Sequence, residues 1–207
     1  MQLAVSRKIR GRLASAAAGL LLPLSFAPFG LYYLAPLSLA GLFWCWESTA
    51  REAGWRGFWY GVAAFAGGTW WLYISVRLVG GTPLPVAFLL LGGLVGIMAV
   101  HIAAAGYAVA RLAPAGSLSA RLLLPPACWV LAEWLRGWIL TGFPWLSVGY
   151  GQIDGPLAAW APIGGVYAVS LVAALVSAAL LTLARAGRRD RVIAGGALLV
   201  LAALTAL

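Results

Sequence analysis

Charge is what this sequence has least of. Only 9% of its 207 residues are charged, five of them acidic, and it has one histidine, two cysteines and no lysine beyond Lys8. A soluble domain carries about a quarter charged residues, so the scarcity excludes an ordinary water-soluble fold. His101, in the apolar run "GIMAVHIAAAGYAVA", has no carboxylate or second ligand nearby. One such residue makes no metal site; it reads as a hydrogen-bonding residue between helices, and neither metal nor cofactor is expected. Cys45 and Cys128 fall at different depths of the apolar pattern, which argues against a disulfide. No internal repeat, phosphate-cradling glycine motif or low-complexity tract is present.

What fills the sequence is apolar: 63% of residues are hydrophobic and the mean hydropathy is +0.96. A spanning helix needs about 20 largely apolar residues. Seven stretches qualify, at 13–29, 31–46, 57–76, 84–110, 121–140, 160–184 and 192–207. They are too long and too uniformly apolar for barrel strands, so the expected fold is all-α, a polytopic transmembrane bundle of about seven spans. Residues 1–12 form a basic cytoplasmic N-terminus and 13–207 the membrane domain. Gly92 and Gly96 have the small-xxx-small spacing that lets helices approach closely, and are read as packing residues. The basic start and apolar core of the first 26 residues resemble a secretory signal, but more spans follow at once and no small-residue cleavage site closes the run. The expectation is an uncleaved first span.

Twelve of the fourteen Arg and Lys residues fall in four places. These are Arg7, Lys8, Arg10 and Arg12; Arg51 and Arg56; Arg111 and Arg121; and Arg185, Arg188, Arg189 and Arg191. The places alternate along the predicted spans, and basic loops stay cytoplasmic. The N-terminus is therefore expected inside and Leu207 outside. The net charge of +9 is a topology signal; dispersed over loops, it makes no basic face for nucleic acid.

Arg77 and Arg136 run against that rule, with Glu133 and Asp154 near the second. An ionisable group at the membrane edge is costly unless paired or hydrated, and so marks a candidate site. Glu133 and Arg136, three apart, share a helix face and can pair. The plainer reading, that they neutralise each other and pin the fifth helix to its neighbours, stays open beside the functional one. After Arg136, "TGFPWLSVGYGQIDGP" breaks any regular helix with four glycines and two prolines, yet is too apolar for a solvated loop. Trp138, Phe143, Trp145 and Tyr150 suit the headgroup level. Trp70, Trp71, Tyr73 and Arg77 make a second aromatic and cationic set at the same outer face, unless both sets are an ordinary aromatic belt.

The stretch "AEWLRGWILTGFPWLSVGYGQIDGPLAAWAPIGGVYAVS" resembles the characteristic segment of bacterial apolipoprotein N-acyltransferases. "LSFAPFGLYYLAPLSLAGL" and "GFWYGVAAFAGGTWWLYISV" resemble that family's first membrane segments, in the right order. The resemblance implies a multi-pass protein of the bacterial inner membrane that acts in lipoprotein maturation. An acyl chain would pass from a phospholipid donor, through a thioester acyl-enzyme, to the α-amino group of a diacylated apolipoprotein's cysteine. It also implies that the reacting Glu, Lys and Cys belong to a periplasmic nitrilase-like domain after the seventh span, followed by an eighth span. The sequence stops at Leu207, short of both.

Within the chain nothing replaces that triad. Cys45 falls at the cytoplasmic end of the second span, and Cys128 lies in apolar "PPACWVLAE", where a buried thiol is inert. No catalytic residue is therefore expected here, and the chain alone should be inactive. The candidate substrate-binding residues are Arg136, whose guanidinium is a rigid donor fork for a phosphate or carbonyl oxygen, and Glu133 to orient it. Trp138, Phe143 and Trp145 would flank acyl chains, with Tyr150 and Arg77 at the same level and Gln152 and Asp154 holding the loop. The alternatives are a standalone module that binds lipid or docks a catalytic partner, and a small transporter. The last is disfavoured because the few charges form no relay along the spans.

Overall fold

A computed structural model describes residues 2–114 and 116–206, and the side chains from residue 5 onward. Among the described residues it is all-helical with no strand, and contains seven α-helices. They are α1 (Gln2–Leu21), α2 (Leu34–Trp46), α3 (Ala50–Gly68), α4 (Leu84–Leu112), α5 (Leu118–Arg136), α6 (Ala161–Arg185) and α7 (Arg188–Thr205). Two helical runs, Leu84–Leu112 and Pro156–Arg185, are long and apolar enough to cross a membrane by length and composition.

The boundaries differ from the hydropathy pattern where local chemistry outweighs it. α1 begins at Gln2 and runs unbroken through the basic residues, because arginine and lysine are good helix formers. The expected third span, 57–76, ends early as α3 at Gly68. There Thr69 caps the helix, its hydroxyl donating to the Phe65 carbonyl at 2.6 Å, and the chain turns through Trp70–Tyr73 into a wide π-helical turn, Ile74–Val79. α5 starts one turn early at Leu118, where the Ser117 hydroxyl accepts from the Ala120 N–H at 3.2 Å.

The four basic places gather at one end of the bundle. Glu52 accepts two hydrogen bonds from Arg12, at 2.9 and 3.0 Å, and lies 3.8 Å from Arg56. Glu47 lies 3.7 Å from Arg121 and 3.8 Å from Arg185. Two carboxylates thus tie together α1, α3, α5, α6 and the α2 terminus.

Close packing between α3 and α4 rests on α3. A Cβ on Gly57 would stand 2.5 Å from the Ile102 carbonyl oxygen, and one on Gly61 2.6 Å from the Ala99 Cα. The expected contact at Gly92 and Gly96 is not made: a Cβ at either would meet nothing within 4 Å. Their spacing permits close approach, but among the described residues nothing packs closely against them on α4.

A polar thread runs across the interior toward the end opposite the basic residues. Ser38 of α2 donates to the Ala18 carbonyl of α1 at 2.6 Å. A serine hydroxyl has one proton, so the fully buried Tyr60 of α3 must donate to Ser38, at 2.7 Å. The Tyr60 ring meets Trp129 of α5 edge-on, centroids 6.0 Å apart, which fixes the position of Trp129 one turn below Glu133.

Candidate functional site: the α5–α6 loop

α5 ends at Arg136 because the next residues cannot continue it. Leu140 and Thr141 take left-handed backbone angles (φ 54° and 73°), and so does Leu146 (φ 59°). Such conformations cost branched or bulky residues about 1–3 kcal/mol each and persist only where surrounding contacts impose them. Those contacts come from the last turn of α5.

Glu133 and Arg136 are each 3% exposed. The Glu133 Oε1 accepts from the Trp129 indole at 3.0 Å and from the Val148 backbone N–H at 2.8 Å. Arg136 donates through Nη1 to the Trp145 carbonyl and through Nη2 to the Ser147 hydroxyl at 3.3 Å. Its guanidinium also sits 4.9 Å from the Phe65 ring centroid on α3, a favourable cation–π placement. The two side chains do share a face, yet no direct ion pair joins them among the described residues. Each is turned instead onto the loop backbone, one gripping a carbonyl and the other an amide. The buried Glu133 Oε2 is left without a hydrogen-bond partner.

The gripped segment seals the end of the bundle opposite the basic residues. Leu146, Ser147, Val148 and Gln152 are all buried. Gln152 donates to the Tyr32 carbonyl at 2.9 Å, and the Gly149 N–H to the Ser170 hydroxyl of α6 at 2.8 Å. The glycines are required by close approach: a Cβ on Gly149 would collide with the Val166 carbonyl, and one on Gly151 would stand 2.9 Å from the Ser25 hydroxyl.

Above this floor the aromatic residues stay open. Trp138 is 67% exposed, Tyr150 57% and Trp145 47%. The two expected aromatic sets meet here, with Trp71 and Trp145 centroids 5.0 Å apart and Phe143 6.5 Å from Trp145. Trp145 also donates to the Gly68 carbonyl at 3.3 Å, holding the loop to the end of α3. Arg77 sits half-buried on the Ile74–Val79 turn, and among the described residues it pairs with no carboxylate. Asp154 is exposed beside Ile153.

The arrangement bears on the expected roles. Arg136 is 3% exposed and both of its terminal nitrogens donate to the loop, so its fork is turned inward, away from the surface where a phosphate would sit. Glu133 holds Val148 and Trp129 and does not orient Arg136. Gln152 holds the loop as expected. The residues that sequence reasoning missed are Phe65, Trp129, Ser147 and Ser170. Trp129 had a signal, its four-residue spacing from Glu133 on one helix face; Ser170 had only its polarity in an apolar run. Cys45 is buried and Cys128 half-buried, both within helices. His101 lies beside Glu133 and Arg136 around an interior cavity of about 10 Å³, its Nδ1 2.9 Å from the Ile97 carbonyl of its own helix.

The loop belongs to a sequence with close relatives. The family described as Apolipoprotein N-acyltransferase N-terminal domain matches residues 18–179. An apolipoprotein N-acyltransferase of Azotobacter vinelandii is 44% identical over 194 residues, covering 93% of this chain and 38% of the relative. One from Chromobacterium violaceum is 41% identical over 181 residues (87% and 35%), and one from Vibrio parahaemolyticus 42% over 174 residues (84% and 34%). The chain spans about a third of the length of these relatives. With the family match extending from α1 into α6 and taking in the whole clamped loop, this chain belongs to the apolipoprotein N-acyltransferase family.

Proposed function

We propose that the chain supplies the membrane portion of an apolipoprotein N-acyltransferase, the enzyme that moves an acyl chain from a phospholipid to the α-amino group of a diacylated apolipoprotein's cysteine. In this reading the protein sits in the bacterial inner membrane with seven spans. Residues 1–12 are cytoplasmic, 13–207 form the membrane domain, and the α7 terminus is on the periplasmic side. The bond-making groups belong to a periplasmic nitrilase-like domain, and the α5–α6 loop presents lipid to it.

The observation that carries the reading is the loop itself, matched within the family and built as a sealed floor under exposed aromatics. Trp138, Trp145 and Tyr150, with Phe143 between them, flank acyl chains at the headgroup level, and Arg77 faces the same layer. Glu133 and Arg136 act as positioning residues: they hold the backbone that carries those rings. A rigid surface matters because aligning a reactant in advance removes much of the entropic barrier.

The test is a chimera in which residues 1–207 replace the membrane segment of the Azotobacter vinelandii relative, assayed with labelled phospholipid and a diacylated lipopeptide. Transfer above background is expected. A chimera that inserts at normal abundance and transfers nothing, while the relative's own segment supports the reaction, refutes the assignment. Reporter fusions at Ser117 and Gln152 should report cytoplasm and periplasm respectively; the reverse at both overturns the orientation.

A further inference from the structure

At the opposite end from the loop, α2, α4, α5 and α6, with the α4–α5 connection, line an open-mouthed cavity of about 370 Å³. This is the size of small-molecule sites, which run from roughly 300 to 1,000 Å³. Its walls are apolar and deep: Phe43, Val109, Pro125 and Leu181 are all buried. Its mouth is polar, formed by Glu47, Ser48, Ser117 and Arg121. The Glu47 and Arg121 side chains are 38% and 37% exposed, so the cavity runs from a wet charged rim to a dry floor.

The rim has a definite sign. Arg121 and Arg185 share the single carboxylate of Glu47 at 3.7 and 3.8 Å, which leaves one positive charge in excess. The amino end of α5 also opens here, with Ser117 as its cap, and a helix amino end adds positive potential. A pocket with one uncompensated cation above an apolar shaft is complementary to an amphiphile with one negative charge on its head. Arg111, Arg188, Arg189 and Arg191, with Asp190 among them, belong to the same basic end of the helices, and a net basic surface of this kind draws anionic lipid to a membrane.

We propose that this cavity is a binding site for an anionic phospholipid of the surrounding membrane, with an acyl chain between Phe43 and Leu181 and the phosphate at Arg121 and Ser117. It is separate from the α5–α6 loop and does not depend on the catalytic reading. A single phosphodiester carries the one negative charge that the rim lacks. Its headgroup depth coincides with that of the basic residues.

The experiment reconstitutes the full 207-residue chain in phosphatidylcholine vesicles doped with a phosphatidylglycerol bearing a diazirine on its acyl chain. Photolabelled peptides are then mapped by mass spectrometry. Label should concentrate on the peptides containing Phe43 and Val109. It should fall roughly tenfold or more in Arg121→Gln, which removes a charge-assisted contact, and in Ala113→Phe, which fills the mouth without altering charge. Melting temperatures of both variants monitor folding. Equal labelling by a diazirine phosphatidylcholine would show that the headgroup is not read, and would overturn the proposal. Labelling by a diazirine fatty acid but not by the phosphatidylglycerol would overturn the phospholipid assignment. Label spread evenly over lipid-facing peptides, or unchanged in both variants, would also refute it.

Discussion

Replacing Arg136 with methionine keeps most of the side chain's volume and removes its charge. The structure fixes what is lost: donation to the Trp145 carbonyl, donation to the Ser147 hydroxyl at 3.3 Å, and the stack on Phe65. It also leaves Glu133 as a lone carboxylate at 3% exposure. Removing one member of a buried charged set costs about 3–5 kcal/mol. Three left-handed non-glycine residues in the loop push toward release, so that cost should appear as local opening. At about 1.4 kcal/mol per factor of ten, it corresponds to roughly a hundredfold to a few-thousandfold increase in opening.

Hydrogen exchange reads this directly, because the Val148 amide is protected by Glu133. Peptides covering 144–152 should lose that protection in Arg136→Met, while peptides from α3 and α4 stay unchanged. Glu133→Gln keeps an oxygen that can accept from Trp129 and Val148 but strands Arg136 as a buried charge, and should also cost about 3–5 kcal/mol. The double substitution should be less damaging than the sum of the singles, since it leaves no unpaired charge. Unchanged exchange across 144–152 in Arg136→Met, or strict additivity in the double variant, would refute the account of the two residues as one clamp.

Trp145→Ala removes the bond to the Gly68 carbonyl and the contact with Trp71. In the chimera it should lower acyl transfer severalfold while shifting stability by about 0.5–1.5 kcal/mol; full activity would remove Trp145 from the presenting surface. The 207-residue chain alone, incubated with labelled phospholipid, should carry no hydroxylamine-sensitive label, because both thiols lie within helices and away from the aromatic surface. Label that disappears in Cys45→Ser or Cys128→Ser would place the chemistry inside this chain.

Much of the helical plan was legible because apolar runs set it, and each of the seven predicted stretches has a corresponding helix. The ends were less legible. Hydropathy is blind to the backbone turn at Thr69 where α3 stops, and it excludes arginines that extend α1 as readily as leucines do. Gly92 and Gly96 misled because spacing says which residues could touch, while the outward turn of α4 decides that they do not. Glu133 and Arg136 stood out in the sequence because ionisable groups are rare in it. What they hold did not, since the Trp145 carbonyl and the Val148 amide belong to the backbone and leave no mark in the residue order.

Glu47 at one end, and Glu133 with Arg136 at the other, give the bundle two ends of different sensitivity. The basic end is joined by ion pairs that are partly open to water, with the Glu47 side chain 38% exposed. The loop end is joined by a buried arginine and glutamate acting on backbone groups. Mobile ions screen exposed pairs, over about 8 Å at physiological strength and 3 Å at 1 M, and reach buried ones far less. Raising the ionic strength therefore loosens the attachments of Arg121 and Arg185 while leaving the Trp145–Val148 floor in place, so salt becomes a selective solvent for one end of the molecule.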